Sequence, residues 1–358
     1  MNTALKDIAY FSDEKIKNEL LTTKNYISVD NMLQDKQGIC EATKIPTSGF
    51  SVKFRKGDIL IGNIRPYLKK IWYATFDGGC SQDVLCIRCQ DDNISAYVYA
   101  ILSSDDFFAY SMNGKKGSKM PRGDKKHIMN FEFPLPNNYK VLGNIIRQID
   151  DQIKRNKEMV HKLQVLGHTI YSKNAKTQIS TFNIENVCKP IWGNCPAGKY
   201  ILNQYSSNTI PYASGAGDID NNISVKPKAF TNKPTRIVHK NDICMSVAGT
   251  VGKIAIATED VCIGRAMLGF SNPELYGYIY FGLNFYASAL QKKATGAIQK
   301  IINSEHLSII NLPMYTDDVV ENLNSIIDEV LCIEEQTKRL IQLKEKLLPL
   351  LINGQLSV

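Results

Sequence analysis

The stretch Lys56-Gly57-Asp58-Ile59-Leu60 decides the fold, because a version of it returns in the second half of the chain as Lys240-Asn241-Asp242-Ile243-Cys244. Three further pairs share one separation along the chain, which is slightly smaller than that of the first pair: Gly117 with Gly296, His127 with His306 and Pro134 with Pro313. A nearly constant offset over several separate anchors indicates an internal repeat. We therefore predict two copies of one plan, each a mixed α/β globule followed by a helix.

A long helical pattern follows the closing proline of each copy. Its apolar residues recur at steps of four and seven, with polar and charged residues between them: Ile149, Ile153, Val160 and Leu163 in the first helix, and Leu340, Leu343 and Leu347 in the second. Such a narrow stripe is typical of a coiled-coil seam and has to be buried against another helix. We expect the two helices to pack against each other within the chain.

The predicted fold is thus mixed α/β, with two globular domains separated by two long antiparallel coiled-coil helices and related by a pseudo-twofold internal repeat. The predicted bounds are 1–140 and 176–316 for the globules, and 141–175 and 317–358 for the helices. Strand-like apolar runs alternate with turn residues in both globules, which supports the mixed content.

The composition is that of an ordinary globular protein, with 44% hydrophobic and 22% charged residues. No apolar run reaches the length of a membrane span, and the first residues lack the apolar core of a signal peptide, so we expect a cytoplasmic protein with no membrane partner. The net charge of +8 permits an anionic partner. Basic residues concentrate between Ser111 and Lys126, where Gly114, Gly117 and Gly123 allow the backbone to approach a phosphate closely.

The sequence contains no recognisable catalytic constellation. Gly249-Thr250-Val251-Gly252-Lys253 has two residues between its glycines, whereas a phosphate-binding loop has four and continues with Ser or Thr after the lysine. Cys86 and Cys89 have metal-ligand spacing, but no second Cys or His pair follows, which favours buried thiols over zinc. We therefore predict a binding protein, with no catalytic and no metal-ligating residue.

Several stretches together carry a family resemblance. In the first globule these are Tyr26-Ile27-Ser28-Val29-Asp30-Asn31-Met32, the run from Gly57 to Trp72, and Lys119-Met120-Pro121-Arg122-Gly123-Asp124-Lys125. The second globule has Ile210-Pro211-Tyr212-Ala213-Ser214-Gly215 and Ser246-Val247-Ala248-Gly249-Thr250-Val251-Gly252-Lys253, and the C-terminal run begins Leu343-Lys344-Glu345-Lys346-Leu347. Over essentially its whole length the chain resembles the specificity subunit of a type I restriction-modification system.

The resemblance implies a non-catalytic subunit in which each globule is a target recognition domain. Each domain would read one half of a bipartite target in double-stranded DNA, and the paired helices would act as spacers that set the distance between the halves. The partners implied are two modification subunits, which methylate adenine with S-adenosylmethionine, and restriction subunits, which use ATP and Mg²⁺. None of these cofactors is expected to bind this chain.

Residue types divide the candidate DNA contacts of the first globule into two groups. Lysines are flexible point charges suited to phosphates, whereas Arg and Asn form paired hydrogen bonds with guanine and adenine. The predicted phosphate contacts are Lys69, Lys70, Lys115, Lys116 and Lys125. The predicted base contacts are Asn63, Arg65, Lys119 and Arg122.

The second globule offers the same two groups. Its predicted phosphate contacts are Lys253 and Lys300, and its predicted base contacts are Tyr212, Ser214, Ser246, Thr250, Arg265 and Gln299. Each of these residues is alternatively an ordinary surface side chain.

Two other functions remain to be distinguished. The chain is alternatively a non-catalytic interaction scaffold, with two ligand-binding globules on a coiled-coil arm and no affinity for nucleic acid. A restriction enzyme in its own right is disfavoured by the missing catalytic residues. Salt-sensitive binding to duplex DNA separates the first alternative from a specificity subunit, because phosphate contacts release counterions.

Overall fold

The computed structural model describes residues 2–115, 117, 120–220, 223–294, 300–353 and 355. The chain divides into two compact units, unit 1 with residues 1–155 and 337–358, and unit 2 with residues 156–336. Each unit therefore takes part of both long helices described below.

The described part of unit 1 has ten short strands and four short helices. The strands are β1 (Asn2–Ala4), β2 (Ala9–Phe11), β3 (Lys15–Lys17), β4 (Tyr26–Ile27), β5 (Phe50–Phe54), β6 (Ile59–Gly62), β7 (Ile71–Tyr73), β8 (Gly78–Cys80), β9 (Val84–Cys89) and β10 (Glu132–Pro134). The helices are α1 (Leu5–Ile8), α2 (Asp92–Leu102), α3 (Asp105–Asn113) and α4 (Lys125–Met129), with single 3-10 turns at Asn18–Leu20 and Pro66–Leu68. The long helix α5 (Tyr139–Thr177) begins in this unit and ends in unit 2.

The strands of unit 1 form two four-stranded sheets and one small pair. The first sheet has the order β2-β9-β6-β7 with every pairing antiparallel. The second has the order β3-β5-β8-β4, in which β4 and β8 are parallel. The strands β1 and β10 pair separately, so that Asn2 lies opposite Pro134. This arrangement places β6 in the interior of its sheet.

The apolar run of β6 is buried because neighbours cover it on both sides. Ile59 and Leu60 are fully buried, and burying such a side chain stabilises the fold by about 1.5–3 kcal/mol. The turn before the strand is held by Asp58, whose Oδ2 accepts a hydrogen bond of 2.8 Å from the Arg55 amide. Arg88 donates to the same carboxylate at 2.8 Å, so that the buried charge of Asp58 is compensated.

Unit 2, over the residues described, has thirteen strands and two helices of its own. The strands are β11 (Thr181–Asn183), β12 (Lys189–Trp192), β13 (Ile201–Leu202), β14 (Ile210–Ala213), β15 (Ile219–Asp220), β16 (Ser224–Val225), β17 (Ala229–Thr231), β18 (Ile237–Val238), β19 (Ile243–Ser246), β20 (Ile254–Ile256), β21 (Val261–Ile263), β22 (Met267–Ser271) and β23 (Asn311–Pro313). The helices are α6 (Tyr276–Lys293) and α7 (Ser304–Leu307), with 3-10 turns at Ile184–Asn186, Gly198–Tyr200 and Ala216–Asp218. The long helix α8 (Asp317–Ile352) begins here and ends in unit 1.

The sheets of unit 2 repeat those of unit 1 with additions. The order β12-β22-β19-β20 matches β2-β9-β6-β7 and is extended by β16 and β15, while the second sheet has the order β13-β17-β14-β21-β18. The pair β11 and β23 sets Thr181 opposite Pro313, as β1 and β10 set Asn2 opposite Pro134. The separation from Asn2 to Thr181 along the chain is identical to that from Pro134 to Pro313, an anchor of the sequence repeat. The offset seen in the sequence is thus also the offset of a strand register.

The turn before the central strand is built alike in both units. Gly57 has a φ of 98° and Asn241 a φ of 73°, in the left-handed region that Gly and Asn tolerate best. Asp242 accepts a 2.8 Å hydrogen bond from the His239 amide, as Asp58 does from its own turn. The local repeat Lys-Gly/Asn-Asp therefore encodes one tight turn twice.

The long helices carry a seam that the apolar pattern predicted only in part. Ile149 and Val160 are buried, and Ile153, Leu163, Leu340 and Leu347 are partly buried. The prediction for Leu343 is wrong, because this side chain is 46% exposed. The next residue, Lys344, takes the seam position four residues after Leu340, and it is buried with its Nζ 2.6 Å from Asp150 Oδ1.

The predicted mixed α/β content is confirmed by the strands and helices of both units. No helix in the described ranges combines the length and the apolar character needed to cross a membrane.

Candidate nucleic-acid interface

The chain leaves the central strand of unit 1 through a loop of polar residues. We call residues 63–69, together with residues 247–252 of unit 2, the tip loops. Arg65 has a left-handed φ of 53°, Lys69 a φ of 50°, and a 3-10 turn lies between them. Because a non-glycine residue adopts this conformation only at some cost in energy, other contacts have to hold the loop in place.

Residues 120–123 of the basic, glycine-rich segment supply those contacts. Ile64 forms an isolated antiparallel bridge with Arg122, and the Arg65 amide donates to the Pro121 carbonyl at 2.8 Å. The Gly123 amide donates to the Asn63 carbonyl at 3.3 Å. Two segments that the sequence predicted separately as DNA-facing are therefore joined in one structure.

The charged side chains of unit 1 that are predicted to contact DNA differ in whether they are already paired with another residue. Arg65 is exposed, and its guanidinium has no hydrogen-bond or ion-pair partner within the described part of unit 1. Arg122 is paired with Asp83 at 3.0 Å, although both side chains remain about half exposed. Lys115 and Lys125 are exposed, and Lys125 Nζ lies 5.6 Å from the centre of the Phe11 ring.

Lys69 and Asn63 are constrained by their neighbours. Lys69 Nζ lies 3.0 Å from Asp105 Oδ1. The pKa of the Asp105 carboxyl is lowered chiefly by the hydrogen bond from Lys36 and further by Lys69. Asn63 Oδ1 is buried against Gly123 and has no hydrogen-bond partner among the described residues. The two-bond contact with adenine that its residue type predicts is therefore not available to Asn63 in this structure.

The tip loop of unit 2 is held by the same construction. Ala248 forms an isolated antiparallel bridge with Ile301, and the Gly249 amide donates to the Lys300 carbonyl at 3.1 Å. The corresponding bridge in unit 1 joins Ile64 and Arg122. Ile64 and Ala248 are as far apart along the chain as Lys56 and Lys240, and Arg122 and Ile301 are as far apart as Pro134 and Pro313. Each unit therefore presents a loop after its central strand, bridged to a segment near the end of its globule.

Several predicted residues converge on this second tip loop. The Val247 amide donates to the Ala266 carbonyl at 2.8 Å, which brings the exposed Arg265 alongside the loop. Ser214 lies in an adjoining turn, where its amide and its hydroxyl both donate to Asp218 Oδ2 at 2.8 Å. Exposed Thr250 and Lys300 complete a surface whose members come from four separate segments.

Lys70 and Lys253 occupy equivalent positions, and we call them the loop lysines. Lys70 Nζ donates to the Val29 carbonyl at 2.7 Å, and Lys253 Nζ donates to the Ala216 carbonyl at 3.3 Å. Both ammonium groups thus bind the backbone of a neighbouring turn. The predicted phosphate contacts of both lysines remain predictions, and they would compete with these bonds, because each charge is directed to a carbonyl within its own unit and each side chain is partly buried.

Two predicted base contacts are wrong because their side chains are buried. Tyr212 is 5% exposed in β14, and burial raises the pKa of its phenol. Ser246 is fully buried at the end of β19, where its hydroxyl donates to the Thr250 carbonyl at 2.6 Å and accepts from the Lys253 amide at 3.0 Å. Ser246 therefore shapes the tip loop from within.

Other predictions lie outside the described residues or concern the cysteines. Lys116, Lys119 and Gln299 are not among the residues that the structure describes. Cys89 is buried in β9, and burial raises the pKa of its thiol to about 12, as expected of an unreactive core cysteine. Within the described ranges no group of three or more His, Cys, Asp or Glu side chains is arranged to hold a metal ion.

Sequence reasoning missed the residues that hold the interface together. Asp83 pairs with Arg122, Asp218 binds the turn at Ser214, and Gln291 donates to the Val251 carbonyl at 3.1 Å. Asn31 accepts from the Ser28 amide at 2.6 Å in the turn equivalent to that of Ser214. The one signal in the sequence is the Ser-x-x-Asn and Ser-x-x-x-Asp spacing of the two turns.

Comparison with known proteins finds similarity to specificity subunits of type I restriction enzymes. The MjaX specificity subunit of Methanocaldococcus jannaschii, named as that of a type I restriction enzyme, is 26% identical over 234 residues, which are 61% of this chain and 54% of that protein. The type I restriction enzyme EcoDI specificity subunit of Escherichia coli is 30% identical over 84 residues, which are 24% of this chain and 18% of that protein. Residues 176–314 match the family model of the type I restriction modification DNA specificity domain. The chain is therefore similar to type I specificity subunits, in part of its length by the family model and in part by these two relatives.

A solved structure extends the likeness of this chain to its fold. The type I restriction-modification system S subunit from M. genitalium matches with a TM-score of 0.67, covering 98% of this chain and 96% of that one at 12% identity. At this identity the likeness concerns the fold alone. The chain spans about half the length of its archaeal relative, 54%, and the family model takes in β11 to β23 together with α6 and α7.

Proposed function

We propose that this chain is the DNA-binding specificity subunit of a type I restriction-modification complex and is not itself an enzyme. The observation that carries the proposal is the pair of tip loops, each bridged to a second segment at the repeat offsets. The loops differ in sequence, Asn-Ile-Arg-Pro-Tyr in unit 1 and Ala-Gly-Thr-Val-Gly in unit 2. One framework carrying two different tips suits a protein that reads two different half-sites.

In this proposal each unit contacts one half of a bipartite duplex target. Arg65 is the leading candidate for base recognition in unit 1, since it is exposed and without a partner in the described residues, and a guanidinium matches the O6 and N7 atoms of guanine. In unit 2 the corresponding candidates are Arg265, Thr250 and Ser214. Lys115, Lys125 and Lys300 contribute contacts to phosphates, which set affinity and its salt dependence.

The long helices act as the spacer between the half-sites. Antiparallel pairing of α5 and α8, with recognition domains at 1–140 and 176–316, would fix the distance between the halves and so the length of DNA that is not read. The ion pair of Lys344 with Asp150 supports this pairing, because a polar pair at a seam position favours one register over others.

The catalytic steps belong to partner subunits in this proposal. Two modification subunits would bind S-adenosylmethionine and methylate adenine at the sites that this chain selects, and restriction subunits would supply ATP- and Mg²⁺-dependent cleavage. This chain would bind no cofactor. The chain would act in the cytoplasm, together with the DNA that it selects.

Mapping of adenine methylation tests the proposal directly. DNA from cells with this chain is expected to carry one bipartite methylated motif that is missing from cells without it. Replacement of residues 176–316 by another recognition domain should change one half of the motif and leave the other half intact. If complexes with a methyltransferase partner show no preference among duplex sequences, the chain is instead a scaffold and the proposal is wrong.

A further inference from the structure

A basic and aromatic surface lies on the outer edge of the second sheet of unit 2, away from the tip loop. β13 is the outermost strand of that sheet, and it pairs with β17 so that Leu202 lies opposite Phe230. Lys199 and Lys233 both approach the ring of Tyr200, with their Nζ atoms 5.1 and 5.0 Å from its centre. We call Lys199, Tyr200, Tyr205 and Lys233 the edge patch.

The charge of the edge patch is of one sign. Residues 195–217 and 223–241 contain no Asp or Glu, while the second range holds Lys228, Lys233, Arg236 and Lys240, and also Lys226, whose ammonium group is paired with Asp220 and Glu334. Lys199 and Lys233 are exposed and have no carboxylate partner in the described part of unit 2. Two ammonium groups gathered at one ring repel each other, and a bound anion would relieve that repulsion.

The exposed aromatic residue distinguishes this patch from a solvated edge. Lysines on an edge strand commonly prevent the strand from pairing with another chain. That role does not explain Tyr205, which is 70% exposed and rests edge-on against Phe230 at 5.7 Å. Tyr205 follows β13 in the chain, so the same sheet edge offers both an exposed ring and positive charge.

The position of the patch relates it to the candidate interface within the same unit. β14 begins at Ile210, opposite Thr231, and ends at Ala213, next to Ile263 and the turn that carries Arg265. About 10 Å of strand, at 3.3 Å per residue, separates these two ends. That length equals the rise of about three base pairs of duplex DNA. A duplex that contacts Arg265 and lies along β14 would therefore extend toward the edge patch.

We propose that the edge patch binds the phosphate backbone of duplex DNA outside the bases that unit 2 reads. This inference rests on the proposed function, because it concerns the same DNA. The patch adds affinity without sequence preference, since lysines contact phosphates that are alike in every sequence. Tyr205 packs against the sugar-phosphate chain between those contacts.

The test measures binding of the full-length chain to a target duplex and to a scrambled duplex over a range of salt concentrations. The double variant Lys199→Gln/Lys233→Gln is expected to make the slope of log affinity against log salt shallower by about 2, since each phosphate contact contributes about 1. Both duplexes should lose the same factor in affinity. A Tyr205→Ala variant should weaken both duplexes equally, with an unchanged salt slope.

Matched variants control for charge and folding. Lys157→Gln/Lys173→Gln removes two exposed lysines of α5 and should leave the slope as in the wild type. Lys199→Arg/Lys233→Arg keeps the charges and should retain the wild-type slope. Equal thermal unfolding midpoints of all variants would show that the fold is intact.

The outcomes separate this inference from the proposed function. If the wild type binds duplex DNA and the Gln double variant binds with equal affinity and slope, the inference is wrong while the proposed function stands. If that variant binds DNA normally but loses a co-purifying protein, the patch is a protein interface and the inference is equally wrong. If the wild type binds no duplex, the proposed function fails and the inference fails with it.

Discussion

Replacing the loop lysines by Met removes one hydrogen bond in each unit and retains the length of the side chain. In a Lys70→Met variant the Val29 carbonyl loses a donor at 2.7 Å, and in Lys253→Met the Ala216 carbonyl loses one at 3.3 Å. Both bonds tie the residue directly after a tip loop to the neighbouring turn. We expect each loop to lose its fixed position and its unit to lose part of the sequence preference that the proposed function gives it.

The distances set the expected magnitudes. A hydrogen bond from a charged donor contributes about 1.5–3 kcal/mol when it is partly buried, and 3.3 Å is at the long end of the useful range. We therefore expect a cost of about 2 kcal/mol for Lys70→Met and about 1 kcal/mol for Lys253→Met. At about 1.4 kcal/mol per factor of ten, these correspond to about 30-fold and about fivefold losses of preference.

Competition binding with duplexes altered in one half-site at a time provides the assay. Lys70→Met should lower discrimination only at the half read by unit 1, and Lys253→Met only at the other half. Lys115→Met serves as a matched control, because Lys115 is exposed and would affect both halves equally by weakening a phosphate contact. A loop-lysine variant with a salt slope shallower by about 1 and uniform weakening would refute this reasoning and restore the phosphate contact.

Three further predictions follow from individual contacts. Arg65→Ala should relax the choice of one base in one half-site at a cost of about 1–3 kcal/mol, whereas equal weakening of all sequences would make Arg65 a phosphate contact. Lys344→Met should lower the free energy of unfolding by about 3 kcal/mol, because it leaves the Asp150 carboxylate without its cation, and a second change to Asn at position 150 should recover part of the loss in urea unfolding. Asp105→Asn should destabilise the chain at neutral pH, where the lowered pKa of this carboxyl keeps it charged beside Lys36. Since the folded pKa lies below the ordinary 3.8, the difference between Asp105→Asn and the wild type should vanish as the pH falls through that lower value, and a difference that persists there would contradict the ion pair.

The sequence by itself determined the features that depend on short-range patterns. The repeat offset predicted equivalent copies, and the strand pairs at Pro134 and Pro313 follow it residue for residue. The tight turns at Asp58 and Asp242 are encoded locally, because the carboxylate accepts from an amide three residues earlier. The long helices are predicted by the spacing of their apolar residues, because residues at steps of four and seven lie on one face of a helix.

Only the tertiary structure decided which polar side chains face outward. Lys70 finds its partner at Val29, 41 residues away, and Ser246 turns inward to bind the backbone of its own loop. Residue type cannot distinguish these lysines and serines from ones that face solvent, because a buried carbonyl and a phosphate oxygen are both acceptors for the same donor. The folded backbone determines which acceptor is within reach, and in this chain that leaves Arg65 and Arg265 exposed while it buries Tyr212.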